Sequence, residues 1–120
     1  MSFFENNYFK VVGIDEIQFF EDTSKVLSVI EELIRKNVIV IVAGLDLDFK
    51  NEPFGCIPNL LAVADEIVKV KAVCTKCGAD ANRTQRLIEG RPASISDKII
   101  KVGSTEAYEA RCKACHVLVL

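Results

Sequence analysis

The N-terminus, Met1-Ser2-Phe3-Phe4-Glu5-Asn6-Asn7, lacks the basic start and apolar stretch of a leader, and the longest apolar run, Val38 to Leu45, is far short of a bilayer span. A spanning helix needs roughly 20 such residues. These two absences predict a cytoplasmic protein with no membrane partner. No run of lysine or arginine occurs, and a formal net charge of -2 with a pI near 5.4 leaves no basic field for a phosphate backbone, which argues against nucleic acid as a partner. Proline is scarce, with only three residues, while half the chain is hydrophobic and 27% is charged; that balance excludes disordered and fibrous classes. Repeats and low-complexity stretches are also absent. The 120 residues leave room for one ordinary domain with a small appendage. The glycine-rich phosphate loop G-x-x-x-x-G-K-[ST] is missing as well.

What is present divides in two. Phe9-Lys10-Val11-Val12-Gly13-Ile14 is a short β-branched run ending at Asp15-Glu16, and it reads as a buried parallel strand with carboxylates at its C-terminal edge. Asp22 or Thr23 can cap a helix in which Val26, Leu27, Ile30, Leu33 and Ile34 share one face and Asn37 closes the last turn. Val38 to Ala43 then predicts a second buried strand, completing a β-α-β unit with a right-handed crossover. Gly44 to Gly55, with its aromatics and Pro53, suits a substrate loop. A short helix from Pro58 to Ala64 and a strand from Ile67 to Val73 are expected next. Beyond Val73 the pattern shifts to cysteine pairs, a turn at Gly90-Arg91-Pro92 and alternating strands such as Lys98 to Val102. The expected fold is therefore an α/β domain over 1–73 followed by a zinc-ribbon lobe over 74–120.

Cys74-Thr75-Lys76-Cys77 and Cys112-Lys113-Ala114-Cys115 are matched C-x-x-C knuckles. In a reduced compartment such pairs favour metal over disulfide. Four thiolates make a closed tetrahedral site that suits structural zinc and leaves no open position for chemistry. Redox dithiols and ordinary buried cysteines are the alternatives, and iron in a rubredoxin-like site uses the same ligands. His116 could replace Cys115, although the matched spacing favours Cys115 and leaves His116 beside the ligands. Cys56 has no partner in the pattern and reads as a small buried hydrophobe. A lobe this small buries little apolar area, so a metal ion would supply much of its folding energy, leaving the segment between the knuckles available as a lid.

Four apolar residues followed by Asp15-Glu16 form a Walker B pattern, in which the aspartate holds magnesium and the neighbouring carboxylate can accept a proton. Alone, the pattern also fits a solvated loop start.

Val12-Gly13-Ile14-Asp15-Glu16-Ile17-Gln18-Phe19-Phe20, Val42 to Phe49 with Pro53-Phe54-Gly55, the two knuckles, Thr84-Gln85-Arg86-Leu87 and Tyr108-Glu109-Ala110-Arg111-Cys112 together resemble the type II, zinc-containing thymidine kinases, in the family's order from Val11 to His116. The resemblance implies transfer of the ATP γ-phosphate to the 5′-hydroxyl of thymidine by a P-loop-type parallel sheet capped by a zinc lobe whose lasso loop closes over the nucleoside. It implies Glu16 as the general base and Asp15 as the ligand of the magnesium that accompanies ATP. Phe19, Leu45, Phe49 and Phe54 fall where the family walls the thymine ring, Thr84 near the thymine methyl and Arg86 near the phosphates. Val102 and Gly103 match the lasso backbone that bonds the base edge, and Tyr108 matches the tyrosine beside the deoxyribose. A homo-oligomer, tetrameric in the family, and feedback inhibition by dTTP are implied too.

Family members begin with a strand and a glycine-rich loop with its lysine, and neither precedes Phe9 here. The sheet is therefore expected to be N-terminally truncated and unaided ATP binding poor. A non-catalytic nucleoside-binding remnant and a zinc-ribbon interaction module are the alternatives to a working kinase.

Overall fold

A computed structural model describes residues 11–97 and 106–120. They form two compact units: residues 11–46 with Phe54–Glu66, and Leu47–Pro53 with residues 67–97 and 106–120.

The first unit is a small α/β layer. Strand β1 (Val11–Ile14) pairs in parallel with β2 (Ile39–Val42), Val11 opposite Ile39 and Ile14 opposite Val42. Parallel neighbours need a crossover, here helix α1 (Thr23–Arg35). The Asp22 carboxylate accepts the Lys25 N–H at 3.0 Å and satisfies one of the free donors of the first turn. At the other end Asn37 turns left-handed at φ 60°, and the Val38 N–H donates to Leu33 O, so the helix stops where the sequence predicts. Helix α2 (Ile57–Val63) packs beside α1. Ile17, Ile30, Cys56, Ile57 and Leu60 are the buried centre of this unit, with Val40 and Val42 packed against it. Among the described residues the expected parallel sheet is this single pair.

The expectation that both strands are buried is corrected. Helices cover one face; on the other, Ile39 and Ile41 remain 61% and 58% exposed and Val11 53%. A continuous β-branched run signals strand but not how many layers cover it. The strand expected over Ile67 to Val73 is also corrected: only β3 (Ala72–Val73) is paired, and Val68 and Val70 stand open to solvent. Residues 67–71 alternate as a strand should, but the described residues offer them no ladder partner.

In the second unit β3 pairs antiparallel with β4 (Asp80–Ala81), and the first C-x-x-C knuckle forms the turn between them. A second sheet runs in the order β6 (Arg91–Pro92), β5 (Arg83–Ile88), β7 (Glu106–Arg111). Glu89 and Gly90, both left-handed at φ 53° and 77°, make the tight turn between β5 and β6 that the sequence marks at Gly90. The segment Leu47–Pro53 is tighter than a free loop. Its ends bridge, and Asp48 Oδ1 accepts the N–H groups of Lys50 and Glu52 at 2.8 and 3.1 Å. The strand expected over Lys98 to Val102 lies outside the described residues. Among the described residues no helix is long and apolar enough to cross a membrane.

Gly55 is the position where the first unit needs glycine. It sits at φ 54°, and a Cβ there would lie 2.6 Å from the Gln18 carbonyl oxygen, whereas one at Gly13 would meet nothing within 4 Å. Gly55→Ala is expected to lower the unfolding free energy by about 1–2 kcal/mol or more in urea titration. Gly13→Ala should stay within about 0.5 kcal/mol of the parent; equal effects would show that the backbone at Gly55 is unconstrained.

Candidate functional site

At the ends of β1 and β2 the chain is tied across: the Ala43 N–H donates to Ile14 O at 2.9 Å and the Ile17 N–H to Ala43 O at 3.1 Å. Between those bonds Glu16 is forced left-handed, φ 54° and ψ 39°. A non-glycine residue pays roughly 1–3 kcal/mol for such a conformation, and strain of this kind collects at functional positions. Asp15 Oδ1 accepts the Glu16 N–H at 2.8 Å, and Glu16 Oε2 accepts Gln18 Nε2 at 2.8 Å. Gln18, 3% exposed, uses its own Oε1 to accept the Leu45 N–H at 3.2 Å. One buried amide thus fixes both the Glu16 rotamer and the exit from β2. In the sequence Gln18 is marked only as a polar residue set among Ile17, Phe19 and Phe20. Phe19 and Phe54 meet edge to face, centroids 5.6 Å apart, and Phe19 and Leu45 are each 46% exposed. Two carboxylates on a fixed backbone beside exposed apolar side chains can bind a hard cation and take a proton from a bound hydroxyl.

In the second unit the β5–β7 register sets Arg86 opposite Tyr108 and Thr84 opposite Ala110, so Thr84, Arg86 and Tyr108 share one face of the sheet. Tyr108 is half exposed, but Arg86 is fully buried, its guanidinium 5.1 Å from the centroid of Phe49. That cation–π contact places Phe49, at 5% exposure, beneath the arginine. The ring nitrogens of His116 complete a strut. Nε2 lies 3.0 Å from Thr84 O, which can only accept, so Nε2 carries the proton and Nδ1 accepts from Asn51 Nδ2 at 3.4 Å. His116 therefore links the second knuckle, strand β5 and the Leu47–Pro53 segment. Val102 and Gly103 lie outside the described residues.

The ligand atoms of Cys74, Cys77, Cys112 and Cys115 all lie within 4.8 Å of one another, with Cys77 and Cys112 Sγ 3.6 Å apart. Zinc–sulfur bonds near 2.3 Å require sulfur–sulfur edges of about 3.8 Å, so the four sulfurs could hold a zinc ion with little movement. His116 is engaged elsewhere by both ring nitrogens. Without metal the thiols depart from the ordinary value in opposite senses. The Cys112 backbone amide, opposed by burial and helped by the Cys77 and Lys76 amides, holds Cys74 down to about 6. Hydrogen bonds with Cys112 and Cys77 push Cys115 up to about 12. Cys112 is lowered, chiefly by the Cys115 backbone amide. A cation entering the cluster must displace whatever protons its thiols carry. Cys56 stands apart, fully buried, with Sγ donating to Ile17 O at 3.3 Å.

With this geometry in place, comparison with protein families decides the chain's kinship: the thymidine kinase family model matches residues 1–116. The chain belongs to the thymidine kinase family. The four-cysteine cluster agrees with the zinc-containing type II branch of thymidine kinases.

Zinc analysis should find one ion per chain, and Cys77→Ser or Cys112→Ser should remove it, while Cys56→Ser keeps it. Uptake at pH 7 should release protons to an indicator dye, Cys115 contributing, and affinity should fall as the pH is lowered. Full metal content in Cys112→Ser would rule out the four-thiolate centre.

Proposed function

We propose that the chain acts in thymidine phosphorylation, with Glu16 accepting the proton of the 5′-hydroxyl as the ATP γ-phosphate is transferred to it. The observation that carries this reading is Glu16 itself, held left-handed at a strand end and oriented by Gln18, in a chain of the thymidine kinase family. A base must be fixed before it is useful, because misplacement of a proton acceptor by about 1 Å costs of order a hundredfold in rate.

Asp15 is exposed and retains acceptor capacity beyond its bond to the Glu16 amide, which suits a cation that keeps most of its waters. Magnesium bound there with ATP would neutralise charge on the transferring phosphate. In the first unit, Phe19, Leu45 and Phe54 are assigned to the thymine walls. In the second, family resemblance matches Phe49 to a thymine-contacting position, Thr84 to the thymine methyl, Arg86 to the lasso near the phosphates and Tyr108 to the deoxyribose. Buried over Phe49, the Arg86 guanidinium holds that ring in place. Val102 and Gly103 keep their assignment to the base edge by family resemblance. The zinc centre, closed by four sulfurs, takes no part in the chemistry. A cytoplasmic homo-oligomer, tetrameric as in the family, inhibited by dTTP, completes the proposal.

Residues 1–120 contain no glycine-rich loop with lysine. The second reading is a nucleoside-binding chain without turnover.

Calorimetric titration of thymidine should show one saturable site per chain, and its absence would overturn both readings. Phosphorylation assayed in parallel with ATP and magnesium separates them. Where turnover is found, Glu16→Gln should lower kcat by about 10²–10⁴-fold and leave thymidine affinity within a few-fold. A Glu16→Gln variant with parental kcat would remove Glu16 from the role of base.

A further inference from the structure

The β5–β7 ladder ends at Arg83 opposite Arg111, one residue before the second knuckle begins. Past that point the joining of the knuckles falls to a side chain. Arg111 Nε donates to Thr75 Oγ1 at 3.3 Å, Nη1 donates to the Cys115 carbonyl at 3.3 Å and Nη2 donates to Glu109 Oε2 at 2.7 Å. Thr75 follows Cys74 in the first knuckle, and Cys115 is the last ligand of the second. The fork therefore has one prong on each knuckle and one on a carboxylate that also lies 3.1 Å from the Thr75 hydroxyl. The Arg111 side chain is 11% exposed and its hydrogen-bonding positions are planar and fixed, so it holds these groups at a set spacing. The Thr75 N–H, donating to Ala110 O at 3.0 Å, anchors the same corner.

We propose that Arg111 is a metal-positioning residue, whose guanidinium bridges the Thr75 hydroxyl and the Cys115 carbonyl and so keeps the four sulfurs at cage spacing for a thiophilic divalent cation. The inference rests on the zinc-centre reading. Groups outside the ligand set that orient the ligands raise metal affinity. The Glu109 carboxylate, 2.7 Å from Nη2, already pairs the guanidinium charge, so the bridge acts through its geometry.

Zinc affinity, measured by competition with a chromophoric chelator, should fall about 10–100-fold in Arg111→Met. The Co(II) derivative should keep its four-thiolate absorption bands, showing that the ligands are unchanged. Arg111→Lys retains charge but not the fork, and should recover only part of the loss. Thr75→Val keeps both charged side chains, guards against a variant that does not fold, and should weaken zinc about fivefold or more, since the lost hydroxyl bonds both Arg111 and Glu109. Transfer of zinc from the folded variants to chelator should also be faster; a residue that only stabilised the fold would lower the melting point and leave that rate unchanged. Parental affinity in both Arg111→Met and Thr75→Val overturns the bridge, and so does full recovery in Arg111→Lys, which would assign the effect to charge alone. If the parent chain takes up neither zinc nor Co(II), the metal centre and the bridge fall together; uptake by the parent with unaffected variants refutes the bridge alone.

Discussion

Four sulfurs within 4.8 Å of one another impose a constraint that shapes the whole second unit. As thiolates they repel, as thiols they offer weak hydrogen bonds, and a single cation resolves the conflict by accepting all four. Among the described residues of this unit the buried apolar ones are Phe49, Cys74, Ala81 and Ala93, of which only Phe49 is large. The unit is therefore organised by polar geometry, with the sulfur cluster at one end of a sheet and hydrogen-bonded side chains spreading from it.

Those side chains are chosen for fixed shape. Gln85 clasps Val117 by two bonds, its Oε1 accepting the Val117 N–H at 2.8 Å and its Nε2 donating to the carbonyl at 3.1 Å. The Arg86 guanidinium lies over Phe49, and His116 spans Asn51 and Thr84. Buried polar groups are costly unless satisfied, so a unit built this way tolerates few substitutions and holds few alternative packings. The first unit works on the opposite principle. Its centre is aliphatic, and Gln18, a buried amide, lies where the backbone is strained.

Much of this was legible in the sequence, for reasons of range. The knuckles were readable because each is four residues long and its chemistry is local; the cap at Asp22 and the stop at Asn37 were readable for the same reason. Asp15 and Glu16 were placed at a strand end by the apolar run before them. What escaped depends on distant partners. Nothing near Gln18 shows that Leu45 will donate to it, nothing near Arg111 shows that Thr75 will lie within 3.3 Å, and the burial of Arg86 follows from Phe49 in another segment. The exposed faces of Ile39 and Ile41 escaped as well, since a β-branched run reads alike under one layer or two.

The left-handed Glu16 carries a consequence for how this chain can change over evolutionary time. Glycine or asparagine would sit there with less strain, and screens for thermal robustness should reward the exchange. A glutamate that persists at that position records selection acting against stability. Its replacement in a descendant lineage would be a fossil mark of relaxed demand on the carboxylate, readable before any assay is run.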